Sequence, residues 1–169
     1  MNAAAMLASA AGFQHYLYQS IPMSRAMQVT VVEVTDERAI LSAPLGPNIN
    51  HLGTVFGGSA CALATLSAWS LLQCRLQPLL PAASLVLQSS SMNYQRPIAA
   101  GFTAHAQLAP DASWARFLRT LERRGRARIT ATAQLFAGAE QVAHFAGEFV
   151  VLSEAPGRSA AARLLPGSQ

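Results

Sequence analysis

Apolar residues recur at helical spacing through residues 4–20, with Leu7, Phe13 and Leu17 in phase, and the run stops before Ile21-Pro22. A residue that precedes proline avoids helical backbone, so the spacing predicts a helix ending there. The period then changes. Met27–Val34 (MQVTVVEV) alternates and is β-branched, which predicts a strand. Arg38–Leu45 predicts a second strand after a Thr35-Asp36-Glu37 turn, and the two make a hairpin. Gly58–Leu76, GSACALATLSAWSLLQCRL, carries no charge before Arg75 and ends ahead of Pro78 and Pro81. A helix that is apolar on every side is buried on every side, and its small residues let other backbones approach closely. Four strand-like runs follow at Ser84–Tyr94, Gly101–Leu108, Arg126–Ala137 and Gln141–Leu152, with turns at Arg96-Pro97 and Ala137-Gly138. The segment after Glu154 is rich in Pro, Gly and Ala and is expected to be loose. There are no internal repeats.

The order is helix, two strands, one long buried helix, four strands. Wrapping a curved antiparallel sheet around the greasy helix is the economical way to bury it. The expected fold is therefore α+β of the hotdog type, with a long central helix and an extra N-terminal helix. A different α+β sheet would give the same string. A chain of 169 residues fits a single domain, read as 1–169 with a core at about 23–153.

Composition sharpens this. The chain is 51% hydrophobic and 12% charged, enough apolar material for a sizeable core and too little charge for disorder. So few charges on so apolar a chain also point to a buried subunit interface. The net charge is +4 and every basic side chain is Arg. Half of these lie between Arg116 and Arg128, either as the solvated face of a hairpin or as a phosphate-binding rim, since guanidinium forks match phosphate oxygens. They are not interleaved with aromatics, so nucleic acid is not expected as a partner. Cys61 and Cys74 fall in one helical segment without disulfide or metal spacing, and free thiols in a reducing cytoplasm are the expectation. MNAAAMLASAAG has no basic n-region and is not read as a signal peptide. No uninterrupted apolar run reaches about 18 residues, so no membrane span is expected.

Candidate chemistry concentrates in Leu45–Ser59, LGPNINHLGTVFGGS. Gly57-Gly58 enters the long helix, where backbone N–H groups without a neighbouring Cβ sit at the positive end of the dipole and could hold an oxyanion. A plain tight turn explains the same pair. Asn48 and Asn50 could orient a water or a carbonyl, and His51 could take a proton near neutral pH; an Asx turn beside a surface histidine is the alternative. Thr65 is seven residues after Gly58, on nearly the same helix face, and its hydroxyl either serves the site or bonds a carbonyl one turn back. Ser59 follows the two glycines, but nothing identifies the His and acid that a serine nucleophile needs. No Asp or Glu occurs between Arg38 and Pro110. A carboxylate base must come from Glu33, Asp36, Glu37 or the C-terminal half, or be absent. Lipase-elbow, zinc-protease, P-loop and dinucleotide motifs are all missing, and no metal or cofactor is expected.

PNINHLGTVFGGS followed by ACALATLSAW resembles hotdog-fold thioesterases, most closely the bacterial thioesterase domain of the YiiD C-terminal type. SSSMNYQRPIAAGFTAHAQL and RGRARITATAQLFAGAEQVAHFAGEFVVL agree with it, so the resemblance covers roughly Met23–Leu152. It implies acyl thioesters of coenzyme A or of acyl carrier protein as substrates, and a homodimer or dimer of dimers with sites at the subunit interface. Asn50 matches an Asn of the loop in related phenylacetate-type and hydroxybenzoate-type thioesterases. Gly57 and Gly58 match the Gly-Gly whose backbone amide holds the thioester carbonyl. Phe56 stands where those enzymes carry His, and Thr65 where they carry the helix acid. Without that acid, water held by Thr65 and Asn50 with His51 as base is the expected route. Asn48, Phe56 and Ser59 line the substrate side, and Gln88 or Asn93 on the next strand is expected to help from across the interface.

The leading expectation is a cytoplasmic thioester hydrolase. A non-catalytic acyl-CoA or acyl-carrier binding module is the alternative that the missing acid favours. A hydratase or dehydratase of the same fold is a third, although that chemistry sets a His against a carboxylate and none is nearby in sequence.

Overall fold

The computed structural model describes residues 9–153. The start of the expected first helix and the expected loose tail, 154–169, lie outside the described residues. A helix α1 (Ala10–Ser20) begins at Ser9, whose side chain accepts from the Gly12 N–H. A short helix α2 (Pro22–Ala26) starts on its proline, a residue preset for the first helical turn. Strands β1 (Thr30–Val34) and β2 (Ala39–Ala43) make the expected hairpin. The polar loop follows, with a single 3₁₀ turn at Gly46–Asn48, and leads into the central helix α3 (Gly57–Leu76). Then come β3 (Ser84–Tyr94), β4 (Phe102–Leu108), a helix α4 (Trp114–Arg124), β5 (Arg126–Ala137) and β6 (Glu140–Leu152).

The six strands form one antiparallel sheet in the order β1-β2-β4-β5-β6-β3, with α3 packed against it. This is the hotdog arrangement. Small residues on both sides let the layers meet closely. Ala60, Ala64 and Ala68 of α3 are buried, as are Ala39, Ala104, Ala106, Ala131 and Ala133 of the strands. Within that contact the buried Ser67 hydroxyl sits 2.9 Å from the Ala39 carbonyl and 3.0 Å from that of Ala104, so it fixes α3 to β2 and β4. The N-terminal helix packs along β1, where the Gln14 side chain accepts from the Val31 N–H, and reaches α3 at Trp69. Phe13 and Leu17 enter the core, and the Tyr16 ring stacks on Trp69 at 6.2 Å.

α4 corrects the expectation of a hairpin face at 116–128. Phe117 and Leu121 are spaced for a helix and buried, while the arginines at 116, 119, 123 and 124 point to solvent. Ser113 caps the first turn by accepting from the Arg116 N–H, and Gly125 closes the last in the left-handed region at φ 65°. These were readable signals of a helix, and the Arg clustering obscured them.

Candidate functional site

The loop is organised from within. The Asn50 carbonyl oxygen accepts from Leu52 N–H at 2.8 Å and Thr54 N–H at 3.2 Å, and its amide donates to the Thr54 hydroxyl at 3.0 Å. Both ends of the Asn50 side chain are thus committed to the loop. Asn48 plays the same part underneath. It is 1% exposed, its side-chain amide donates to the Met27 and Pro44 carbonyls at 3.0 and 2.8 Å, and it anchors the loop to the body; its side-chain oxygen Oδ1 is buried without a partner among the described residues. The structure therefore places Asn48 beneath the site and not at its surface, where a substrate contact was expected. His51 is exposed on the turn.

The last residues of the loop set the mouth. The Val55 N–H donates to the Ile98 carbonyl, and the Phe56 N–H to that of Asn48, both at 2.7 Å. α3 then begins at Gly57 with no side-chain cap. The N–H groups of Gly57, Gly58 and Ser59 consequently have no acceptor among the described residues. The Phe56 ring lies over Gly58 and is 58% exposed; a Cβ on Gly58 would stand 2.3 Å from it. Glycine is needed there to let the ring fold back onto the helix start.

Tyr94, at the end of β3, completes the mouth. Its hydroxyl donates to the Gly57 carbonyl at 2.8 Å, and burial, with Cys61 nearby, raises its pKa above the ordinary tyrosine value. The phenol therefore stays a donor. A cavity of about 280 Å³ opens beside it, walled by Val55, Gly57, Ala60, Tyr94, Pro97 and Ile98, with Arg96 at the rim. Arg96 pairs with Glu140 at 2.9 Å, which brings a carboxylate from a distant part of the chain to the edge of a site that has none in its own sequence neighbourhood.

Thr65 lies on the only partly covered stripe of α3, which runs Gly58, Cys61, Ala62, Thr65, Trp69. It forms no hydrogen bond among the described residues, so the bond one turn back is not made. Seven residues of rise put it about 10 Å from Gly58. No hydrogen bond joins Asn50, His51 and Thr65 to one another.

The two strand candidates sit elsewhere. Neighbouring strand residues face opposite ways, so Asn93 projects away from the face on which Tyr94 reaches Gly57. Gln88 is six residues, about 20 Å, from Tyr94 along β3. It accepts from Arg128 Nε at 2.7 Å, beside Glu148. Tyr94 itself escaped the sequence reading. An aromatic closing a strand ahead of Gln95-Arg96-Pro97 was the signal, but the contact that gives it meaning spans 37 residues. Among the described residues no group of three or more His, Cys, Asp and Glu could hold a metal ion, and no helix is long and apolar enough to cross a membrane.

Comparisons with known proteins agree with this architecture. The sequence model of a family described as "Putative thioesterase (yiiD_Cterm)" matches residues 10–153. A solved structure of a protein of unknown function from Chlorobaculum tepidum is similar at a TM-score of 0.78 and 26% identity, covering 83% of this chain and 92% of that one. A putative thioesterase from Shewanella oneidensis is 30% identical at a TM-score of 0.71, over 82% of this chain and 94% of its own. A thioesterase from Haemophilus influenzae, 12% identical, shares the fold at a TM-score of 0.68 over 86% and 91%.

Proposed function

The chain belongs to this thioesterase family, and on that premise we propose that it hydrolyses acyl thioesters at the N-terminal end of α3. The observation that carries the reading is the uncapped helix start, where the N–H groups of Gly57, Gly58 and Ser59 lack acceptors beside an apolar cavity. Donors fixed at the positive end of a helix stabilise a carbonyl oxygen more strongly as it becomes an oxyanion. The thioester carbonyl binds there, and a short acyl group fills the cavity between Val55, Ala60, Tyr94 and Ile98. Water attacks the carbonyl carbon, the C–S bond breaks, and the thiolate leaves and takes up a proton.

The attacking water is handled by the polar groups around the mouth. His51, exposed on the turn, is the base, Thr65 offers its hydroxyl on the open stripe, and Ser59 offers another in the first turn of the helix. Asn50 acts through the loop it braces, and Phe56 covers the helix start in place of a polar side chain. Coenzyme A or an acyl carrier protein supplies the thiol, and no other cofactor takes part. The free Cys61 and Cys74 accord with a cytoplasmic setting.

The working unit in this reading is a homodimer. β3 closes one end of the sheet with only β6 beside it, and its side chains from Leu87 to Ser91 are exposed. A long edge strand with neither a charged residue nor a proline pairs with another strand unless it is blocked. With two-fold symmetry the partner is a second β3, run antiparallel.

Hydrolysis assays over short, long and aromatic acyl thioesters test the proposal. Turnover that His51→Ala and Thr65→Ala both leave intact removes these residues from the mechanism. Binding without turnover across the whole panel replaces the enzyme with a binding module, the reading that the missing helix acid supports.

A further inference from the structure

The largest concentration of charge in the molecule is far from the loop. Arg116, Arg119, Arg123 and Arg124 line the outer side of α4, and Arg126 and Arg128 continue the row onto β5; all six are exposed. Glu122 is the only carboxylate between Trp114 and Arg128. Of the six, only Arg128 is in an ion pair among the described residues, with Glu148 at 3.5 Å. Arg116 and Arg128 border a cavity of about 220 Å³ between α4 and β5, but Asp111 and Glu148 line it too, so it does not suit a small phosphate. The other four arginines spread along the outside of α4 and the start of β5. A spread ridge of one sign suits an extended surface of the opposite sign.

Its position adds a second constraint. Trp114, at the start of α4, lies under the Arg75 guanidinium at 4.4 Å, and Arg75 belongs to the last turn of α3. The ridge therefore stands at the opposite end of α3 from Gly57, about 28 Å away along the helix. That is beyond the reach of a phosphopantetheine arm. Antiparallel pairing of two β3 strands reverses the ends. The Ser84 end of one strand, level with Arg126 across Leu152, comes beside the Tyr94 end of the other.

Building on the thioesterase reading and its dimer, we propose that this ridge docks an acidic carrier protein and presents its thioester to the loop of the partner copy. The carrier's carboxylates meet the arginines of one protomer. Its prosthetic arm crosses the β3 edge to the helix start of the other.

The test compares one acyl group on two thiols, an acidic acyl carrier protein and N-acetylcysteamine, which has neither phosphate nor protein. In Arg116→Glu/Arg119→Glu/Arg123→Glu the ratio of kcat/KM on the carrier to kcat/KM on N-acetylcysteamine falls at least tenfold. An unchanged ratio overturns the proposal. So does an equal loss on the coenzyme A thioester, because the ridge would then be reading nucleotide phosphates. If the wild-type protein hydrolyses none of these substrates, the thioesterase reading fails on its own. Calorimetric binding of the carrier protein then decides the docking: weakened binding in the variant supports the ridge, and equal or absent binding overturns it. For delivery to the partner, the triple variant is mixed with Gly58→Trp, which fills the helix start. Mixed dimers contain one intact loop facing one intact ridge, so carrier hydrolysis recovers. No recovery overturns delivery between protomers.

Discussion

The Tyr94 hydroxyl donates to the Gly57 carbonyl at 2.8 Å, tying the free edge of the sheet to the first turn of the central helix. Tyr94 and Gly57 both line the cavity, so the bond holds two of its walls together at the helix start. Tyr94→Phe keeps the ring and deletes the bond. A net loss of about 1 kcal/mol is expected, read as about a fivefold fall in kcat/KM with little change in secondary structure by circular dichroism. Unaltered kinetics would show that the helix start needs no such tether.

Gly58 and Phe56 form a coupled pair. Gly58→Ala places a methyl where the Phe56 ring now lies, so the ring must swing off the helix start. The expected outcome is about a tenfold loss of kcat/KM at nearly wild-type stability, because the displaced ring is half in solvent. Phe56→Ala/Gly58→Ala removes the clash, and the double variant should lose less than the two single losses multiplied. Strict multiplicativity would sink the pairing.

Asn50→Ala removes the loop's internal bonds to Leu52, Thr54 and Val55 together. Stability should fall by about 1–2 kcal/mol in urea denaturation, with activity lost as the loop loosens. Asn50→Asp retains the acceptor for the two N–H groups and loses the donor, so it should fall between. If Asn50→Asp were as damaged as Asn50→Ala in activity while equally stable to wild type, a direct role of the amide would replace the bracing one.

His105 gives a pH signature distant from the site. Burial is the main cause that holds its pKa below the ordinary histidine value, with the Arg38 charge adding to it. Nε2 is 3.0 Å from the Thr103 hydroxyl, and the ring packs on Phe136 at 4.8 Å. The unfolded chain therefore binds the proton more readily than the folded one. This contribution to stability is complete above a pH of about 6.5 and declines as pH falls through the folded pKa. The urea midpoint should drop between pH about 7.5 and about 5, and His105→Gln should flatten that difference. An identical pH dependence in the variant would remove His105 as its source.

The exposed run of β3 predicts the assembly. Light scattering should give twice the chain mass of 17.9 kDa. Ser89→Asp/Ser91→Asp sets like charges opposite one another in an antiparallel pair and should yield monomers with little activity. An active monomer would place the whole site within one chain.

The pattern of polar and apolar positions was sufficient for most of the architecture. Alternation in MQVTVVEV and an uncharged run around ACALATLSAW each admit one local structure, because a side chain on the wrong face would cost its burial. The helix start at Gly57-Gly58 was legible for the same local reason, since glycine and an absent capping side chain are sequence facts. What the chain could not show by itself was every relation that crosses it. Asn48 reads in sequence as a substrate contact and Asn50 as a holder of water; only folding gives them the carbonyls and N–H groups of Met27, Pro44, Leu52 and Thr54 as partners. Tyr94 gained its role from a carbonyl 37 residues away, and Glu140 reached the cavity rim only through Arg96. Thr65 was placed correctly on the Gly58 face, but only packing left its hydroxyl open. Helices and strands follow from interactions within a few residues. A site depends on which distant groups the folded sheet and helix bring within hydrogen-bond reach, and that was decided by the tertiary structure alone.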